Sequence, residues 1–456
     1  MFALTGALSV PALSGTAYGG TVPDPHGPPA TAATTSAPVP ANDEFKPLTP
    51  AVTAQLDAAV RKVMRDANVP GVVVALSAPG KGEYVRSFGV ADKATGQRMT
   101  AGVNHRIGSV TKSFTVTAVL ELVDEGKLGL DDPISRYVGG VPNGDRITLR
   151  QLAGMRSGLF NYSADEDFYK ALTADPDRPF TPRQLLDYAF EHPVNFPPGA
   201  KFEYCNTNLI LLGLVVEKVG GMPLHEFIAE KVVKPAGLKH TLFPTDAAFP
   251  EPHAQGYTNQ TASGKVEVAT DWNPSWGWAA GAMISDLPDL RTWARVLATG
   301  TLLTADTQAQ RLETDPTGIS DAGYGLGIFN VEGWIGHNGS LPGYETLVVY
   351  LPKHQATLVV MLNTDILVNG VEPSTFFGTA ITRIVTPQHV YNLPRPTEPD
   401  ASTTSPAAPT SPSPTSPSPT RTSPAPPSPT TPSPASPTAP TTSPPAPPTG
   451  PPVPYP

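Results

Sequence analysis

Three short groups of residues in this chain could carry out nucleophilic chemistry. In Gly108-Ser109-Val110-Thr111-Lys112 a serine is followed three residues later by a lysine, just before an apolar helical pattern that starts at Phe114 and ends near Gly126. Positions i and i+3 share a helix face, so the Lys112 nitrogen can touch the Ser109 hydroxyl. A lysine partly removed from water loses its proton more readily and can serve as a base. The free N–H groups and positive dipole end of the helix start let Ser109 N–H donate to a developing oxyanion. Alone the pattern is weak, because a serine cap with a lysine on the first turn is common on surface helices.

The second group is Tyr204-Cys205-Asn206, which follows Pro197-Pro198-Gly199 and precedes a helix from about Thr207. In an extended segment residues two apart point the same way, so the Tyr204 phenol and the Asn206 amide can enter one cleft. Tyrosine can shuttle a proton and asparagine can bind an amide of the acyl group. The bland alternative is a packed tyrosine followed by an asparagine cap. The third group, His337-Asn338-Gly339-Ser340, is expected at the end of a strand, with Gly339 permitting close backbone approach by a ligand. Ser340 N–H is then the second oxyanion donor, and His337 supplies polarity near the substrate or near Lys112 and Tyr204.

The elements that must position these groups follow from periodicity. A helix is predicted over Thr53–Ala67, then strands over Val72–Ala78 and Tyr84–Val90 around the turn Pro79-Gly80-Lys81-Gly82. The far end supplies strands over Tyr324–Val331, Gly333–His337, Thr346–Leu351 and Thr357–Asn363, then a helix near Ser374–Ile384. First and last segments therefore build one antiparallel sheet flanked by N- and C-terminal helices, an α/β fold. The region between, about Lys112 to Leu303, is predicted to form an all-helical lobe beside it, with a cleft between the two.

In this order, Ser109-x-x-Lys112, Tyr204-x-Asn206 and His337-x-Gly339 resemble the three motifs of the penicillin-recognising serine hydrolases: the β-lactamases and D-alanyl-D-alanine carboxypeptidases. The resemblance runs from about Pro47 to Val385 and fits the secreted carboxypeptidases best. It implies a β-lactamase/transpeptidase-like fold. It further implies that Ser109 forms an acyl-enzyme, that Lys112 and Tyr204 relay protons, that Asn206 orients the acyl side chain and that Trp276 lines the cleft. Substrates would be peptidoglycan-derived peptides or other small acyl compounds, with β-lactams as inhibitors and no cofactor or metal. Two departures loosen the carboxypeptidase reading. Asn338 stands where the family often has a hydroxyl that helps hold a carboxylate, and Tyr324–Glu332 lacks the arginine that close relatives use for the same purpose. Arg291 or Lys353 is a candidate substitute. An uncharged pocket favours esters, amides or other D-amino-acid substrates, since a desolvated carboxylate without a cation is costly. A non-catalytic cell-wall binding or scaffold protein is the alternative of another class.

Composition bounds these readings. With 456 residues, 56 of them proline, much of the chain is not globular. A leader over 1–43, a serine hydrolase domain over 44–391 and a Pro/Ser/Thr-rich tail over 392–456 are expected. The leader begins with an apolar, signal-like run but has no Lys or Arg before Lys46, so an upstream start or a disordered leader stays open. The tail is expected to be extended, a spacer able to contact or cross a cell wall, with a bare disordered tail as the alternative. Both point to a secreted or envelope location. A net charge of -9 excludes a nucleic-acid surface, and the single Cys205 excludes an intrachain disulfide and a cysteine metal cluster.

Overall fold

In the computed structural model, residues 44–393 are described; the leader and all of the expected tail except Asn392 and Leu393 lie outside them. Thr49 opens the first helix, α1 (Pro50–Asp66), by accepting a hydrogen bond from Val52 N, with Pro50 at the first helical position. Strands β1 (Gly71–Ala78) and β2 (Gly82–Gly89) form the expected hairpin. After the helical lobe come β3 (Asp315–Pro316), β4 (Ala322–Tyr324), β5 (Phe329–Val331), β6 (Trp334–Leu341), β7 (Tyr344–Leu351) and β8 (Ala356–Leu362). They complete an eight-stranded sheet of order β2-β1-β8-β7-β6-β5-β4-β3, antiparallel throughout. β1, β7 and β8 are apolar along almost every position because helices cover them: α1 pairs with the C-terminal helix Pro373–Val385, which lies on β7 and β8.

The lobe contributes α2 (Thr111–Asp124), α3 (Glu166–Ala174), α4 (Pro182–Phe190) and α5 (Asn206–Gly220). α2 is buried on nearly every side, packed against α5 and the sheet. A further helix, α6 (Leu287–Thr299), leaves the lobe, correcting its expected extent to Leu303, and packs on β6, β7 and β8. Its Trp293 stacks on Phe114 of α2 with ring centres 3.8 Å apart and donates through Nε1 to Ser113 Oγ at 2.9 Å. The helix that carries the Ser-x-x-Lys pair is thereby clamped between lobe and sheet. No single helix among the described residues is long and apolar enough to cross a membrane.

Two strand expectations need correction. Tyr324–Val331 is two strands, because Gly325-Leu326-Gly327 folds back tightly against α2: Gly327 has φ +70°, and a Cβ there would meet Val116 at 2.7 Å and Lys112 O at 3.3 Å. The strand expected to end at His337 runs on to Leu341, so the His337–Ser340 group sits inside β6, paired with Glu345–Val348 of β7.

Candidate active site

Ser109 lies in a single 3₁₀ turn, Gly108–Val110, that runs directly into α2. Lys112 Nζ is 2.7 Å from Ser109 Oγ and donates to Ala280 O at 2.7 Å. Neighbouring threonines hold the same segment: Thr115 Oγ1 donates to Ala279 O and Met283 N donates to Thr111 Oγ1. Three polar side chains of one buried helix thus fasten the 279–283 backbone and aim Lys112 at the serine. Lys112 is fully buried, and burial holds its ammonium well below the ordinary lysine range. No carboxylate among the described residues forms an ion pair with it.

The Tyr204 ring centre is 4.9 Å from Lys112 Nζ and 6.2 Å from the His337 ring, so one residue of each motif meets here. Asn206 starts α5; its N–H donates to Asn161 Oδ1 at 3.0 Å and its Nδ2 to Ser163 Oγ at 2.9 Å. Cys205 between them is buried, and burial pushes its thiol up to about 11, leaving it unreactive. Trp276 lines the cavity, and its backbone oxygen accepts from Tyr162 Oη at 2.6 Å.

β6 forms the opposite wall. A Cβ on Gly339 would stand 2.8 Å from Ser109 N and 2.0 Å from Ile107 O, and one on Gly108 would stand 2.7 Å from Ser340 N. The strand backbone therefore lies against the serine turn with no room for a side chain, which brings Ser109 N and Ser340 N to the same spot. Asn338 and Ser340 line a cavity of about 460 Å³ together with Ser109, Tyr204 and Asn206.

Of the two places open to it, His337 takes the one beside Tyr204 and Lys112 and not the one in the cavity. It is buried, does not line the cavity, and has both ring nitrogens engaged: Nε2 lies 3.2 Å from Tyr324 Oη, and Nδ1 lies 2.5 Å from Asn338 O. A carbonyl only accepts, so Nδ1 carries the proton and Nε2 accepts from the tyrosine. Burial, then the neighbouring Lys112, pushes His337 down to about 3, so the ring is neutral. The two proposed substitutes for the missing arginine also lie elsewhere: Arg291 pairs with Glu83 at the sheet edge, and Lys353 sits in the exposed turn after β7.

Three residues escaped sequence reasoning. Asn161 holds Asn206, Tyr324 holds His337, and Glu372 accepts from Asn338 Nδ2 at 2.6 Å inside the cavity. A His240, Asp286 and Asp289 group also gathers potential metal ligands. None of the three lines the cavity, and the Asp289 carboxylate already accepts from Lys239 N, His240 N and Thr241 Oγ1.

An antiparallel sheet with flanking helices, a helical lobe beside it and a buried serine–lysine pair facing a strand backbone define the β-lactamase/transpeptidase-like fold class. The chain belongs to the Beta-lactamase family, whose pattern matches residues 56–372. It is similar to a D-stereospecific amidohydrolase from Streptomyces sp., 31% identical with a TM-score of 0.63, covering 69% of this chain and 94% of that one. The D-amino acid amidase of Ochrobactrum anthropi SV3, in complex with L-phenylalanine amide, is 27% identical with a TM-score of 0.63, covering 74% and 96%. A D-aminopeptidase of Brucella anthropi is 28% identical over 323 residues, 69% of this chain and 60% of that protein. The chain spans about three fifths of the length of the curated relatives it matches.

Proposed function

We propose that this chain is a serine hydrolase that forms an acyl-enzyme on Ser109 and acts on D-amino-acid amides, esters or peptides. The observation that carries the reading is the buried Lys112 Nζ at 2.7 Å from Ser109 Oγ, with no carboxylate partner among the described residues. A neutral amine there takes the Ser109 proton as Oγ bonds to the substrate carbonyl carbon. Ser109 N–H and Ser340 N–H receive the negative charge on the carbonyl oxygen. Tyr204, next to Lys112, passes the proton to the leaving nitrogen or oxygen as its bond to the carbonyl carbon breaks. Water then attacks the acyl-enzyme, gives its proton to the same pair and frees the acid and Ser109. Asn206 and Trp276 contact the acyl part.

The cavity favours the amidase and aminopeptidase branch over a D-alanyl-D-alanine carboxypeptidase. Neither lysine nor arginine lines it among the described residues, His337 is neutral, and Glu372 is a lining residue. The amidohydrolase and amidase likenesses point the same way. Peptidoglycan peptides remain the substrate class of the second reading, supported by the three-motif pattern. The apolar leader and the proline-rich tail support an extracytoplasmic, wall-associated setting for either.

To test the reading, the purified protein is incubated with a fluorescent penicillin, a D-amino-acid amide and a chromogenic ester, and the labelled peptide is mapped by mass spectrometry. A covalent adduct on Ser109 with release of amide or ester product is expected. Absence of any adduct and any turnover fits a non-catalytic binding protein and defeats the hydrolase reading.

Tyr324→Phe probes the second layer of the site. Loss of the O–H that donates to His337 Nε2 and holds the ring in place should lower kcat about tenfold with KM nearly unchanged. It should also shift the acid limb of the pH–rate profile, which a purely structural defect would not move. The deleted hydrogen bond should cost about 1 kcal/mol in chemical denaturation. An unaltered pH profile would show that His337 orientation does not matter.

A further inference from the structure

We infer that the groove between α6 and the end of the sheet away from Ser109 binds a small phosphate ester of a polyol or sugar, at a site separate from the catalytic cavity. The groove has a volume of about 520 Å³ and shares no lining residue with that cavity. Tyr350 in the groove lies five residues along β7 from Glu345, the cross-strand partner of Ser340. That is about 16 Å at a strand's rise of roughly 3.3 Å per residue.

The floor of the groove is a row of hydroxyls. The apolar runs 72–76 of β1, 358–362 of β8 and 347–349 of β7 all stop at one rung, where Ser77, Thr357 and Tyr350 stand. Ser77 is in register with Thr357, and Thr357 with Tyr350. Directly opposed residues of antiparallel strands share a face, so the three hydroxyls lie side by side. At a strand spacing of about 4.8 Å the row is about 10 Å long. Among the described residues no protein group hydrogen-bonds to any of the three hydroxyls, and all three residues line the groove. The other wall is α6, where Arg291, Thr292 and Arg295 share one face of the helix. Like charges at i and i+4 repel, and only Arg291 is offset, by Glu83. Arg295 is exposed and forms no ion pair among the described residues. Burial raises the Tyr350 phenol and the Arg295 charge works against it, so the guanidinium stands within electrostatic reach of the hydroxyl row. No Asp or Glu among the described residues lines the groove. On a chain of net charge -9, two guanidiniums against one carboxylate make a local positive site.

This donor set suits a phosphate ester. A phosphate presents three strong acceptor oxygens and up to two negative charges, enough to engage the planar Arg295 fork and a hydroxyl of the row together. A carboxylate offers two oxygens and one charge. The rest of the row, with Gln355 beside it, is left for the hydroxyls of the esterified polyol. The volume agrees, since it falls in the range of small-molecule sites and exceeds what a lone ion fills.

The test is calorimetric titration of the full chain with glycerol 3-phosphate, glycerate and glycerol, which share a polyol body and carry a phosphate, a carboxylate and no charge. The native protein should bind them in that order, the phosphate at least about tenfold tighter than glycerate, and added salt should weaken the phosphate most. Arg295→Gln should lose at least about tenfold in affinity for glycerol 3-phosphate. Arg295→Lys, which keeps the charge without the fork, should lose less. Thr357→Val and Tyr350→Phe should each lose about threefold. Arg295 is exposed, so its two replacements test the site even where a change in the buried row disturbs folding. Absence of glycerol 3-phosphate binding, equal binding of the three compounds, or an affinity untouched by Arg295→Gln overturns the proposal. The measurement needs neither Ser109 nor turnover, so failure of the hydrolase reading and failure of this site are read separately.

Discussion

Replacing Lys112 with methionine should lower the rate of Ser109 acylation about 10²–10⁴-fold, the usual range for removing a general base, while leaving the protein at least as stable near neutral pH. Both halves follow from burial. Lys112 has two contacts at 2.7 Å, to a hydroxyl and a carbonyl, and no carboxylate partner among the described residues to offset desolvation. Methionine fills a similar volume without a group that prefers water. The pH dependence has a definite sign. In the unfolded chain the lysine titrates near 10.5; in the folded chain it does so lower. Between those values the unfolded state binds more protons, so native stability rises with pH across that window, and this contribution is absent from Lys112→Met. The variant's advantage should therefore be largest below the folded-state titration of Lys112 and shrink as pH approaches about 10.5. Urea denaturation of both proteins at several pH values, beside penicillin labelling, reads this directly. Lys112→Arg separates base from charge: a guanidinium stays protonated, so it should fail to support acylation and should also destabilise. A variant that keeps its labelling rate would remove Lys112 from the chemistry.

The part of the site visible in sequence is the part whose geometry is local. Ser109 and Lys112 meet because one helical turn separates them, and Tyr204 and Asn206 are two residues apart. The sheet hairpin was equally legible, since Gly80 and Gly82 both take positive φ at the turn. What stayed hidden depends on tertiary approach. Asn338 reaches Glu372 across 34 residues and Asn206 reaches Asn161 across 45, and neither partner sits in a pattern that periodicity can flag. Glu372 reads in sequence as an ordinary acidic residue before a helix that starts with Pro373. The break of Tyr324–Val331 into two strands arises from the approach of Gly327 to α2, which local alternation of apolar residues does not report. Sequence leaves His337 either near the substrate or near Lys112 and Tyr204, because the extent of its strand decides which way the side chain faces. Continuing the strand to Leu341 puts the side chains of Asn338 and Ser340 on one face and turns His337 to the other.

Gly339→Ala is the sharpest test of how that strand builds the oxyanion site. Gly339 lacks the left-handed backbone of many glycines in this chain, so alanine meets no conformational penalty there. The obstacle is purely the Ile107 carbonyl at 2.0 Å and Ser109 N at 2.8 Å, both backbone atoms that cannot swing away. Relief requires β6 to move off the serine turn, which separates Ser340 N from Ser109 N. Acylation by penicillin should fall at least about 10²–10³-fold, the cost of losing one oxyanion donor, with about 1–3 kcal/mol of destabilisation from overpacking. Gly96→Ala supplies the converse case: φ is +73° and no atom lies within 4 Å, so it should cost about 1 kcal/mol of stability and leave labelling unchanged. If Gly339→Ala and Gly96→Ala labelled equally fast, close strand approach could not be what pairs the two N–H donors. The opposite result, activity lost in one and kept in the other at similar stability, ties catalysis to the absent Cβ in β6 and not to the general stability of the fold.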